Sequence, residues 1–195
     1  MGGRPQVWVL TGGNGAGKST FYRLVLQPRG IALVNADVIA AAMAPDAPEE
    51  QSYAAAERAE ALRAELLAEG VSFCFETVFS HPSKIDFVAA AKAAGYEVVL
   101  VYVHLRDESL HLARVSTRVG EGGHDVPPAK IISRLPRTRR NVTRAIPLAD
   151  EVLVFDNSSA TDPLLLVAHL EPGAVVTAPA PLPAWARALL GVGEG

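Results

Sequence analysis

The 195-residue chain has one cysteine, two methionines, two tryptophans and only 6% aromatic residues. A lone thiol, Cys74, has no partner for an intramolecular disulfide, so nothing ties the chain to an oxidising compartment. Its apolar runs are short. The longest, around residues 98–105 and 164–170, fall far below the roughly 20 residues that cross a bilayer. From Met1 the sequence passes through Arg4 and Pro5 straight into an apolar segment, which leaves no room for a secretory leader. Position six is Gln6, not the Ser or Thr that myristoylation of Gly2 would need. The expectation is a soluble cytoplasmic protein with no membrane association. No internal repeat and no composition break divides the chain, so residues 1–195 are expected to form a single domain.

What is present is enough apolar material for one sizeable core, 49% hydrophobic against 20% charged, which excludes disorder, coiled coil and collagen. The net charge of -3 hides an uneven layout. Residues 106–144 hold eight of the fourteen arginines plus Lys130, against four acids, making that block about +5 and the remainder about -8. The block contains no aromatic side chain on which a base could stack, so a nucleic-acid partner is not expected.

Short β-branched runs alternate with longer Ala-rich stretches. Strands are expected at 7–10, 31–34, 71–75, 98–103 and 152–155, all apolar on both faces. Helices are expected at 18–27, 49–69, 82–94, 108–118 and 129–145, with Pro136 kinking or splitting the last. This is the signature of an α/β fold: a parallel sheet of about five strands with helices on both faces. The proline-rich tail, about 171–195, is expected to be either an edge strand and a docked helix (Trp185–Leu190) or a loose end.

Gly12 to Ser19 fits G-x-x-x-x-G-K-[ST] and lies between a strand and a helix. A phosphate rests on a ring of backbone N–H groups only where the loop wraps without Cβ atoms in the way. The candidate cradle is Gly12, Gly13, Asn14, Gly15, Ala16, Gly17, Lys18, Ser19 and Thr20. Lys18 would reach the β- and γ-phosphates, and the Ser19 hydroxyl would hold Mg²⁺. The expected ligands are therefore ATP (or GTP) and Mg²⁺.

Further candidates follow at strand ends, where open α/β sheets bind ligands. Asp37 is positioned either to accept a proton from a hydroxyl or to hold a water on Mg²⁺, and it also suits the N-cap of a helix over 38–44. Glu76 and Thr77 end the third strand and are candidates for substrate contact, or for capping the turn. The fourth strand ends without an acidic pair of the motor type, which disfavours an ATPase motor. Arg114 and Arg118 share one helical face, as do Arg134 and Arg137. Two such helices joined by a glycine-rich turn describe an Arg-rich lid, about 107–145, that closes over a triphosphate and excludes water.

With these residues in view the chain resembles the zeta-toxin family of P-loop kinases over roughly residues 6–158. The resemblance rests on Gly12–Thr20, Asn35-x-Asp37, Phe75-Glu76-Thr77, Gly122-Gly123-His124-x-Val126-Pro127 with Arg134 and Arg137 behind it, and Phe155-Asp156-Asn157-Ser158. It implies a five-stranded parallel core and phosphoryl transfer from ATP (or GTP) to a small hydroxylated acceptor, in the founding toxins UDP-N-acetylglucosamine. It further implies Asp37 as base, Arg118 and Arg134 as the lid contacts to triphosphate, His124 as a phosphate or substrate contact, and an antitoxin-like protein partner. The chain is shorter than the larger toxins. The rivals are a kinase of another small metabolite or an antibiotic, and a nucleotide-dependent switch with little transfer.

Overall fold

The computed structural model describes residues 3–45, 47–121, 123, 125–172, 174–177 and 181–192. Seven strands form one sheet: β1 Gln6–Thr11, β2 Ala32–Val34, β3 Phe73–Thr77, β4 Glu97–His104, β5 Glu151–Asp156, β6 Leu165–Glu171 and β7 Ala174–Thr177. They are ordered β2-β3-β1-β4-β5-β6-β7. The first five are parallel, as expected from the strand–helix alternation, and β6 and β7 add an antiparallel extension. The tail thus takes the first of its two expected forms. The helices are α1 Lys18–Phe21, α2 Ala36–Met43, α3 Ser52–Glu69, α4 Ser83–Ala93, α5 Glu108–Gly120, α6 Pro128–Ala145 and α7 Ala184–Leu190.

Alternation along β1 shows how the two faces are filled. Val7 and Val9 join the larger core with Phe73, Phe75, Val98 and Leu100, covered by α3, α4, α6 and α7. Trp8 and Leu10 point the other way and pack with Val99, Val101, Phe21 and Leu26. β2 departs from the expectation of a strand buried on both faces. It lies at the sheet edge, so Ala32 is exposed and Leu33 half-buried.

Two helices differ from their sequence pattern. The expected helix over 18–27 keeps α geometry only to Phe21, then runs through a π turn, Tyr22–Leu26, into a 3₁₀ turn, Gln27–Arg29, that Gly30 ends at φ 73°. Pro28 has no N–H to continue the ladder. In contrast, α6 is not split at Pro136. Pro136 is exposed, so its ring stands on the outer face of the helix and not in the core.

The far half of α6 belongs to the body: Val142 and Ala145 are buried in the main core. Thr138 Oγ1 donates to the Val78 carbonyl at 2.7 Å, and Asn141 Nδ2 donates to the Phe79 carbonyl at 3.0 Å. These bonds hold the loop after β3, where buried Phe79 sits at φ 62°, a conformation that costs a non-glycine residue about 1–3 kcal/mol. No helix among the described residues is long and apolar enough to cross a membrane.

Candidate active site

The parallel strands end on one cleft of about 740 Å³, lined by the loop after β1, the ends of β2 and β3, and the facing sides of α3, α5 and α6. The loop after β1 needs glycine for two reasons. Gly12 stands at φ 145°, and a Cβ there would meet the Val103 carbonyl oxygen at 2.5 Å. Gly17, at φ 102°, precedes α1 and would meet the Asn157 amide. With no side chains in the way, the loop closes over Gly13, whose carbonyl accepts hydrogen bonds from Ala16 N at 3.2 Å and Lys18 Nζ at 3.1 Å.

Two residues outside the loop hold its backbone. Nδ1 of buried His111, on α5, lies 2.6 Å from the Asn14 carbonyl. Since a carbonyl only accepts, the proton sits on Nδ1. Burial lowers the His111 pKa, the bond to Asn14 acts in the opposite sense, and the neighbouring cations Lys18, Arg139 and Arg114 lower it further. From the end of β5, Asn157 Nδ2 donates to the Ala16 carbonyl at 2.8 Å, and its Oδ1 accepts from Leu164 N at 3.1 Å. Neither role was legible in the sequence, where Asn157 stood in a strand-end motif with no role attached and His111 carried no signal.

Lys18 is 7% exposed. Burial lowers its pKa, while Glu76 and Asp37 act in the opposite sense. Glu76 Oε1 lies 3.7 Å from Lys18 Nζ, and the Ser19 hydroxyl donates to Glu76 at 3.0 and 3.2 Å. Sequence reading grouped Glu76 with the substrate contacts, but the fold brings it to the Lys18–Ser19 end of the cleft because β3 is the immediate neighbour of β1. A hydroxyl and a carboxylate meeting at 3 Å are hard oxygen donors of the kind Mg²⁺ takes, and Mg²⁺ needs few from the protein because it keeps waters and nucleotide phosphates. Among the described residues no group of three or more His, Cys, Asp or Glu could hold a metal by itself.

Asp37 is not the cap of its helix. Asn35 is, its Oδ1 accepting from Asp37 N at 2.7 Å and Val38 N at 3.4 Å. An exposed Asp37 carboxylate at the cleft wall is left with charge to spend on Lys18 and Arg134, both of whose pKa values its field raises. For Arg134 burial acts more strongly and lowers the value. Thr77 lines the cleft too, but its hydroxyl accepts from Phe79 N at 3.0 Å and so shapes the loop.

The arginines divide. Arg114, Arg118 and Arg134 line the cleft. Arg114 also donates to the Asn157 carbonyl at 2.8 Å. Arg137 is exposed and turns back on its own helix, donating to the Ser133 carbonyl at 3.2 Å. His124, expected as a substrate contact, lies outside the described residues. Sequence reading missed Tyr53, Lys84 and Lys130, which also line the cleft. None of them belongs to a motif, and only packing shows where they point.

Residues 7–139 match the AAA domain family. An uncharacterised protein of Haemophilus influenzae is 30% identical over 128 residues, 62% of this chain and 91% of the relative. Among solved structures, one from the PezAT chromosomal toxin–antitoxin system of Streptococcus pneumoniae superposes with a TM-score of 0.67 at 18% identity, covering 97% of this chain and 78% of that one. The AvrRxo1-ORF1:-ORF2 structure with ATP gives 0.69 at 22% identity over 90% of this chain, which spans 61% of its length. The strand order, the glycine loop and these superpositions describe one architecture: the chain belongs to the AAA domain family and has the P-loop kinase fold.

Proposed function

We propose that the chain is a Mg²⁺-dependent phosphotransferase that moves the γ-phosphoryl of ATP (or GTP) to a hydroxyl of a small acceptor. The observation that carries this reading is the single cleft. The phosphate loop, the Ser19–Glu76 pair, Asp37 and three arginines all line it, so donor and acceptor would meet there. In this reading the loop amides and Lys18 bind the β- and γ-phosphates. Ser19 and Glu76 hold Mg²⁺, directly or through water, and the ion when bound neutralises charge across the phosphate oxygens. Asp37 takes the proton of the acceptor hydroxyl as its oxygen bonds to the γ-phosphorus and the bond to the β–γ bridging oxygen breaks, releasing ADP. Arg118 and Arg134, with Arg114 beside them, stabilise the charge that develops on the phosphoryl oxygens. Residues 1–195 act as one kinase domain in the cytoplasm, with 107–145 as the phosphate-covering segment.

For the acceptor, the zeta-toxin resemblance supports a UDP-amino-sugar. Transfer from labelled ATP to UDP-N-acetylglucosamine, nucleosides and small alcohols tests the reading. Asp37→Asn should keep the affinity for an ATP analogue within about threefold and lose roughly 10²–10⁴ in transfer rate. Full transfer by that variant would sink the base assignment. A second reading, a nucleotide-dependent complex with an antitoxin-like protein, is favoured by the two-component systems of the structures it superposes on. ATP-dependent co-elution with a partner, with no phosphorylated product, would support it instead.

A further inference from the structure

Among the described residues the cleft is lined by six lysine and arginine side chains and three carboxylates: Lys18, Lys84, Lys130, Arg114, Arg118 and Arg134 against Asp37, Glu76 and Asp125. Lys18, Arg114, Arg118 and Arg134 are accounted for by a triphosphate. Lys84 is not, because it stands in the first turn of α4, outside the phosphate loop and the two arginine-bearing helices. It is half-buried in the cleft wall, and none of the ion pairs among the described residues includes it.

A second cation packs against the same helix, over Phe87, about one turn along from Lys84. Arg63, on α3, is 5% exposed and likewise in no ion pair, and its buried Nε has no hydrogen-bond partner. Its guanidinium rests over Phe75 at 4.9 Å and Phe87 at 5.3 Å. Ring faces attract a cation but do not cancel its charge. Arg63 therefore adds positive potential at Lys84: burial lowers the Lys84 pKa first and Arg63 lowers it further, while exposed Glu60 acts in the opposite sense on both cations. Glu60, whose field reaches both cations, forms an ion pair with neither among the described residues, so two unpaired cations, one of them at the cleft wall, make a place where an anion is favoured.

We propose that Lys84, backed by Arg63, is an anion subsite for the acceptor, which carries a phosphate or carboxylate group seated on Lys84 while its hydroxyl reaches Asp37. This rests on the phosphotransfer reading and narrows it to acid-bearing acceptors. Neutral sugars and alcohols lack the group that would hold them in place.

The chain has only four lysines, Lys18, Lys84, Lys92 and Lys130, so the ammonium signals of the full chain labelled with isotopic lysine can each be assigned. The protein is first saturated with Mg²⁺ and a non-hydrolysable ATP analogue, then titrated in separate arms with inorganic pyrophosphate and with malonate. The expected result is a saturable shift of the Lys84 signal, with Lys92 unmoved because it is paired with Asp150 away from the cleft. The arm that saturates at lower concentration identifies the anion class. Lys84→Met should weaken binding at least tenfold by calorimetry, and Arg63→Met several-fold with the Lys84 signal still present. A Lys84 signal that moves in neither arm, or equal affinity in Lys84→Met, would overturn the proposal. Lack of any response of Lys18 to the ATP analogue would instead overturn the kinase reading, and the Lys84 titration would remain readable.

Discussion

Replacing Gly13 by alanine probes how the phosphate loop is locked to the helices that carry the arginines. A Cβ at Gly13 would stand 2.5 Å from His111 Cε1 and from Leu135 Cδ2, and 3.0 Å from His111 Nδ1. The backbone itself is no obstacle, since Gly13 is not among the glycines with positive φ. Leu135 can rotate away at little cost. His111 cannot, because its ring is 2% exposed and is tied to the Asn14 carbonyl at 2.6 Å. Either the ring stays and the site is overpacked, at about 1–3 kcal/mol, or it swings away and leaves a buried carbonyl unpaired, at a similar ~1–3 kcal/mol. The opposing gain from a stiffer unfolded chain is only about 0.4–1 kcal/mol. Subtracting that gain leaves a central net loss of about 1.3 kcal/mol, which should lower the Tm by roughly 3–5 °C in a domain of this size. Circular-dichroism melts and urea unfolding would measure it. In a His111→Ala background the new methyl has room, so the same substitution should cost less than about 1 kcal/mol, and the difference is the coupling energy. Gly13→Ala melting with the parent protein, or an equal penalty with and without His111, would refute the interlock.

If Lys18 holds phosphate as proposed, Lys18→Ala would remove a charge-assisted contact of about 1.5–3 kcal/mol, and the Kd for an ATP analogue should rise roughly 10–150-fold by calorimetry. His104, 3% exposed and stacked on Trp185 at 3.7 Å, has its pKa pushed down to about 4, with burial the largest cause. Asp156 and Asp107 raise the value, and Arg139 and His111 lower it. A neutral folded histidine contributes stability that is complete above its unfolded pKa of ~6.5 and is lost as pH falls from there towards 4, on the order of 3 kcal/mol in all. His104→Phe keeps a ring against Trp185 and should flatten that part of the pH–stability curve. An unchanged slope between pH 6.5 and 4.5 would show that other groups carry it.

Much of the site was legible because it is local. Glycine spacing, Lys18 and Ser19 fall within eight consecutive residues, and the strand before and helix after follow from apolar periodicity. The strand ends at Asp37 and Glu76 could be read in the same way. Their partners could not. Asn35 and Asp37 both suit an N-cap, and only the start of α2 at Ala36 decided that Asn35 accepts the amides and Asp37 stays available. The run 164–170 carried no turn signal and little alternation, so β6 was not expected. Antiparallel pairing on β5 is what makes it a strand.

The amino-acid order by itself determined the phosphate loop, the α/β class and the positions of the carboxylates along the chain, because φ/ψ preference and side-chain period act between near neighbours. Tertiary structure decided which of those groups meet. Placing β3 beside β1 put Glu76 on Ser19, 57 residues away, and placing β4 and then β5 on the other side of β1 brought His111 and Asn157 onto the loop from 97 and 141 residues away. It also buried Arg63 against Phe87 of α4, the helix that carries Lys84. Such contacts depend on the order of strands and the seating of helices, which local periodicity does not encode.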